Sequence, residues 1–303
     1  MAQLKKQPPK TVPEFLERIY LLQRSAGVSC YRGEANATWK LKPSVMRDLR
    51  AEAEQSIIRE LLLDAPSEFR SDSSMFEKLV RAQHYGLPTR LLDASLNPLV
   101  ALFFACYEKE HKGEDGKVIV MTFPQTRVKY AESDTVSILC NVAKLTDAER
   151  KTIDESVSVL MERKFADKDL TDALMKSDEI GRLLHFVRSE KPYFKDRIDF
   201  TDFRKYYFVY PSKNNKRLVA QAGAFVVAGL LKYQKVENAK SFKSQIITIP
   251  AKEKVEILKQ LDQININHRA LFPEIEFASR YIKEKWSKST DAEASVLLGD
   301  IFG

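Results

Sequence analysis

The spacing of apolar residues predicts helices alternating with short strands. Phe15, Ile19, Tyr20 and Leu22 recur at near-helical intervals after a Pro-rich lead, which predicts a helix over residues 11–26. Residues 28–33 read as a strand ending at Gly33, residues 38–41 as a further strand, and Pro43-Ser44 as the opening of a helical segment. Residues 52–69 carry an amphipathic pattern, with Ile57, Ile58, Leu61, Leu62 and Ala65 on one side. A helix from Ser74 reaches Gln83, His84 and Tyr85, where Gly86 and Pro88 stop it. Residues 89–93 read as a strand, Asn97 as the cap and Pro98 as the first position of an apolar helix through 107. The alternation of 118–123 fits a central strand, and 136–142 adds another. Residues 146–187 are mostly helical, over 148–162 and 170–188. Strand character returns at 206–210, 218–228 and 245–249, before helices over 252–261 and 269–285.

These elements describe one α+β body over 1–286, with about 145–205 as a helical insertion or lid and 287–303 as a loosely attached tail. The chain has 303 residues, 44% of them apolar, enough to bury one large core or two modest ones. No uninterrupted apolar window of ~18 residues occurs, and the first residues lack the apolar run of a secretory signal, so a cytoplasmic location off the membrane is expected. Cys30, Cys106 and Cys140 are isolated and lack metal-ligand spacing, so they read as small buried hydrophobes and no metal site is expected.

Charge adds a candidate partner. The net +7 is uneven, because residues 1–50 hold ten Lys or Arg against four Asp or Glu. Residues 188–217 hold nine against four, interleaved with Tyr193, Phe194, Phe200, Phe203, Tyr206 and Tyr207. Bases among aromatics suit phosphate contact and base stacking, which makes RNA or DNA a candidate partner. Solvated lysines beside core aromatics yield the same counts.

The densest unusual chemistry lies in 29–47 and 81–106, where Gly and Pro punctuate runs of Arg, His, Tyr, Trp, Asp and Ser. At these residues the chain resembles the FRG domain family, through Tyr31-Arg32-Gly33, then Trp39, Leu41, Pro43, Ser44 and Arg47, and then the run from Gln83 to Asp93. Arg217, the segment Ala220-Gln221-Ala222-Gly223-Ala224-Phe225 and Leu271-Phe272-Pro273-Glu274 extend the likeness. Ala94 stands where the family usually has an aromatic. A further resemblance is to ADP-ribosyltransferases: Tyr31-Arg32-Gly33 looks like their first motif, 89–105 like their second, and the 221–227 strand stands in the order of their third, with Gln221 in place of a Glu.

What this resemblance implies is a split pair of small packed sheets flanked by helices, with NAD as the substrate held in a cleft between the motifs. ADP-ribose would pass to a nucleic acid or protein acceptor, in a toxin or phage-defence setting with an inhibitory partner protein. Arg32 and Arg90 would hold the pyrophosphate through planar charged forks. Gly33 would admit close backbone approach, Tyr31, Tyr85 or Phe225 would stack on the nicotinamide, and Thr89 and Ser95 would flank the ligand. Asp93 would face the oxocarbenium-like charge, Gln221 would bond a ribose hydroxyl, and His84 would act as general base toward the acceptor.

Plainer roles compete at each position. Asp93 can cap the following helix with Arg90 as its ion partner, His84 can be a hydrogen-bond anchor, and Trp39 can be a core residue beside Leu41 and Val45. Glu274 and Glu276 read as acids favoured at a helix start. The alternative from another class is a non-catalytic nucleotide- or nucleic-acid-binding module. A metal nuclease is disfavoured by the lack of clustered acids and His near either motif.

Overall fold

The computed structural model describes residues 7–22, 26–229 and 241–273. Along the chain run α1 (Val12–Leu21), β1 (Val28–Glu34), α2 (Ala53–Asp64), α3 (Met75–His84), β2 (Leu91–Ser95), α4 (Pro98–Tyr107), β3 (Gly116–Phe123) and β4 (Val128–Tyr130). They are followed by α5 (Asp134–Asn141), α6 (Asp147–Glu162), α7 (Lys168–Met175), α8 (Asp178–Glu190), β5 (Tyr206–Tyr210), α9 (Lys216–Ala220), β6 (Gly223–Ala228), β7 (Lys243–Ile249), α10 (Lys254–Gln263) and α11 (His268–Leu271). The expected helix beyond 273, Glu274, Glu276 and the tail lie outside the described residues. Among the described residues no helix is long and apolar enough to cross a membrane.

Instead of the expected pair of sheets, the strands form one seven-stranded sheet in the order β4-β5-β6-β2-β1-β3-β7. Pairing is antiparallel except between β4 and β5. The sheet is nevertheless split. β1 pairs with β3 along its whole length, from Val28↔Phe123 to Glu34↔Lys117, whereas β1 meets β2 only at Tyr31↔Ser95. Beyond that pair the strands diverge, and each half carries its own helical layer. Phe15, Val100, Phe103, Ile257 and Leu261 of α1, α4 and α10 pack with Val118, Val120, Ile247 and Ile249 of β3 and β7. Phe76, Leu79, Leu139, Val157 and Leu183 of α3, α5, α6 and α8 pack with Leu91, Val209, Phe225 and Val227. Residues 145–205, expected as a helical insertion, contribute Ile153, Val157, Leu160, Leu183 and Val187 to this second cluster. A third cluster, including Cys30, Leu92, Met121, Phe123 and Phe208, covers the reverse face.

Most elements follow their patterns, and the departures have physical causes. Residues 136–142 form helix and 3-10 turn rather than strand. Val136 through Asn141 are all buried, so the segment shows no polar face and its apolar run has no readable period. The expected strand over 218–228 divides into α9 and β6, broken by a turn in which Ala222 takes φ +45°. Residues 170–188 divide into α7 and α8, because Ser177 accepts the Ile180 N–H and starts a new helix. Residues 38–41 form no strand, and Pro43-Ser44 leads only into one 3-10 turn, Ser44–Met46. On α2 the buried residues are Glu54, Gln55 and Ile58, not the Leu61-Leu62 stripe.

Candidate functional site

The site is built where the sheet splits. Had the β1–β2 ladder continued past Tyr31↔Ser95, Gly33 would stand opposite Asp93. Instead the Arg32 side chain bridges the gap: its Nη1 donates to the Asp93 carbonyl at 2.9 Å and its Nε to Glu34 Oε1 at 3.0 Å. Glu34 is buried, 2% exposed, and its other oxygen lies 3.2 Å from Lys117 Nζ. Gly33 is required here because α4 runs directly against β1. A Cβ at this position would overlap the Ala101 carbonyl oxygen and lie 2.7 Å from Ala105 N.

The loop after β1 is pinned by two buried lysines. Lys117 Nζ donates to the carbonyls of Ala37, at 3.0 Å, and Trp39. Lys254 Nζ donates to Ala35 O at 2.7 Å and His111 O at 2.8 Å. Burial pushes the Lys254 amine below the ordinary lysine range, against the pull of Cys106, Asp115 and other acids. These contacts hold Trp39 half-buried at the cleft, edge-on to His111 with ring centroids 4.8 Å apart.

The opposite wall is the end of β2. Asn97 caps α4 by accepting the Leu99 N–H, and Pro98 follows as expected, so Asp93 is not the cap. Nor does Arg90 pair with it. Asp93 is exposed between buried Leu92 and Ala94, and its carboxylate makes no hydrogen bond or ion pair among the described residues. The Ser95 hydroxyl donates to Gln221 O at 2.7 Å and accepts from Asn97 N at 2.9 Å, which ties β2 to the turn before β6. Gln221 ends α9 instead of standing on a strand, and its Nε2 donates to Leu271 O at 3.1 Å.

These walls enclose a cleft of about 250 Å³, lined among others by Tyr31, Arg32, Gly33, His84, Asp93, Ser95, Gln221 and Phe225. Eight of the sequence-derived candidates therefore converge, and residues 145–205 contribute nothing to the lining. Their surroundings differ. Phe225 is 3% exposed and packs edge-on to Phe76, 5.8 Å between centroids, so it is floor rather than a stacking face.

Three candidates lie elsewhere. Arg90 is 1% exposed and is held bidentately by Glu54, at 2.8 and 2.7 Å, while its Nη1 donates to Leu139 O. Thr89 is fully buried, its hydroxyl donating to Gln83 Oε1 and accepting from Leu91 N. Tyr85 is 54% exposed outside the cleft, its hydroxyl donating to Glu68.

Trp39, Glu34 and Glu108 line the cleft without having been expected there. Glu108 sits at the C-cap of α4, where the helix dipole disfavours an acid, and that local conflict was a legible signal. Desolvation raises its carboxyl above the ordinary range, against the opposing charges of His111, Lys254 and Arg32.

Other chemistries find little support. Among the described residues no group of His, Cys, Asp and Glu is placed to hold a metal. All three cysteines are buried, and burial pushes the Cys106 thiol up to about 12, which removes thiolate nucleophilicity. Of the aromatics between 188 and 217, Phe200, Phe203, Tyr206 and Tyr207 are core, while Tyr193 is 98% exposed. The base-stacking pattern is thus mostly core packing.

Residues 28–114, from β1 to just before β3, match the family model of the FRG domain. No curated protein and no solved structure matches the chain.

Proposed function

We propose that this FRG-domain protein binds NAD at the split between β1 and β2 and transfers ADP-ribose to a macromolecular acceptor, a nucleic acid or a protein. One observation carries this reading: an exposed Asp93 carboxylate, unanswered among the described residues, stands beside an Arg32 guanidinium fixed by two hydrogen bonds. A charge left open suits an oxocarbenium-like centre, and an immobilised guanidinium suits a phosphate. The cleft volume of about 250 Å³ lies just under the roughly 300–1,000 Å³ usual for ligand pockets, so it takes the nicotinamide-ribose end and leaves the phosphates at the mouth beside Arg32.

In the proposed reaction the bond from the ribose C1′ to the nicotinamide nitrogen breaks, and its electron pair leaves with neutral nicotinamide. Asp93 stabilises the positive charge, Tyr31 and Trp39 flank the ring, and the acceptor nucleophile bonds to C1′ while its proton passes to His84. Purified protein mixed with labelled NAD, RNA, DNA and lysate is expected to release nicotinamide and label one acceptor class. Asp93→Asn is expected to abolish turnover but retain binding, and Arg32→Ala to lose binding. No nicotinamide release and no label would sink the enzyme reading. A toxin role predicts growth arrest on expression, relieved by Asp93→Asn.

A non-catalytic nucleotide-binding module is the second reading. It is favoured by Gln221, whose uncharged amide is already committed to Leu271 O. Binding without turnover would establish it.

A further inference from the structure

A second cavity, of about 400 Å³, opens between the 42–51 segment, α2 and the first turns of α6. Its cations are Lys42, Arg50, Arg90, Arg150 and Lys151, and its acids Glu54, Asp147 and Asp154. At its base Glu54 is gripped by two guanidiniums. Arg90 holds it bidentately, and Arg150 Nη1 donates to Oε2 at 2.6 Å while Nη2 donates to Ala51 O at 2.6 Å. Glu54 together with Asp147 answers these two guanidiniums, so the positive excess of the cavity lies at its rim, with exposed Arg50 and Lys151. Arg204 pairs with Asp154 and lies outside the lining, and Asp147 stands 3.7 Å from Arg150 Nη2. Lys151 makes no ion pair among the described residues, and Arg50 has only a 3.6 Å pair with exposed Glu52, which is worth little.

We propose that this cavity is a phosphate-binding site, separate from the cleft and independent of the reading given to it. Cations from different chain segments converge on one cavity, and a phosphate offers at least three strong acceptor oxygens and about −1.5 to −2 charge as a monoester, where a carboxylate can satisfy fewer of them. The Glu54 clamp and the Ala51 carbonyl fix the Arg150 guanidinium in advance, so little ordering of it accompanies binding. The phosphate can belong to a free nucleotide, whose terminal group carries that monoester charge, or to a nucleic-acid backbone, whose diesters each carry one negative charge and two non-bridging oxygens but recur along the strand.

Inorganic pyrophosphate, titrated calorimetrically into the full chain at low salt, tests the site. The Arg50→Glu/Lys151→Glu double variant changes only exposed rim residues, so it is expected to fold, with affinity at this site falling about tenfold or more. Arg32→Ala, which alters the cleft, is expected to keep the site. A single-stranded oligonucleotide that displaces pyrophosphate assigns the site to a nucleic-acid backbone, and failure to displace assigns it to a free nucleotide. Both outcomes support a phosphate site. Pyrophosphate binding that is absent, or unchanged by the rim variant, overturns it. The rim comparison alone decides if Arg32→Ala does not fold.

Discussion

Arg32 Nη1 reaches across the split in the sheet to the backbone carbonyl of Asp93 at 2.9 Å, replacing with a side chain the ladder contact that the diverging strands no longer make. The same guanidinium answers buried Glu34, so one residue closes the sheet and shapes the cleft.

Replacing Arg32 should therefore affect stability and binding together. Arg32→Ala leaves the Glu34 carboxylate with Lys117 as its remaining ion partner and is expected to lower stability by about 1–3 kcal/mol. Arg32→Lys should restore little, because an ammonium cannot span Glu34 and the Asp93 carbonyl as a fork does. Urea denaturation of the three proteins, with NAD titration alongside, measures both effects. Full recovery by lysine would show that charge alone matters.

Gly33→Ala forces β1 and α4 apart, since the added methyl meets the backbone of Ala101 and Ala105 rather than a movable side chain. A loss of about 1–3 kcal/mol is expected from overpacking. The urea midpoint reports it, and an unchanged midpoint would mean that α4 shifts freely.

Glu54→Gln should be the most damaging of these changes, about 3–5 kcal/mol, because it removes the anion between Arg90 and Arg150 while both stay buried. Burial pushes the Glu54 carboxyl up, but the charges and hydrogen bonds of Arg90 and Arg150 outweigh it and hold the group below the ordinary range. With the folded value below the unfolded one of about 4.3, the unfolded chain takes up the proton first as pH falls. The contribution of Glu54 is thus complete above about pH 4.3 and lost as pH falls through the depressed folded value. Thermal melts between pH 3 and 6, on the order of a point per half unit, should show an acid loss that is weaker in Glu54→Gln.

Glu108→Gln should behave in the opposite sense. Its carboxyl is raised chiefly by desolvation and it sits against the negative end of α4, so neutralising it is expected to leave stability unchanged or slightly higher, by less than about 0.5 kcal/mol at its half-exposed position. Stability from this group grows as pH falls through the raised value, and Glu108→Gln should abolish that trend. If Glu108 also contacts the ligand, NAD affinity changes while the melting temperature does not.

The local elements were legible where they carry a strong local signal. Asn97-Pro98 starts α4 and Ser74 caps α3, because each depends on contacts within a few residues, and the β-branched run of 118–123 marks β3 although its partners β1 and β7 are distant in the chain. Residues 136–142 read as strand because complete burial erases the polar face by which a helix is recognised. Gln221 reads as strand because nothing local announces that Ala222 adopts positive φ. Arg90 shows the limit most clearly. Its motif marks it as important, but its partner Glu54 lies 36 residues earlier, on α2, so its structural role cannot be seen from its neighbours.

The caps, the chain breaks and the apolar α4 follow from residue chemistry acting over one or two turns of chain, and so could be read from the residues alone. Tertiary structure decided that the strands form one split sheet, that Arg90 turns into a buried ion cluster, and that Asp93 and Glu108 face the cleft with Arg32. Those outcomes depend on which distant groups answer each charge once water is excluded. Burial makes an unanswered charge too costly to keep, so pairing across the fold assigns Arg90 to the scaffold and leaves the Asp93 carboxylate exposed at the cleft.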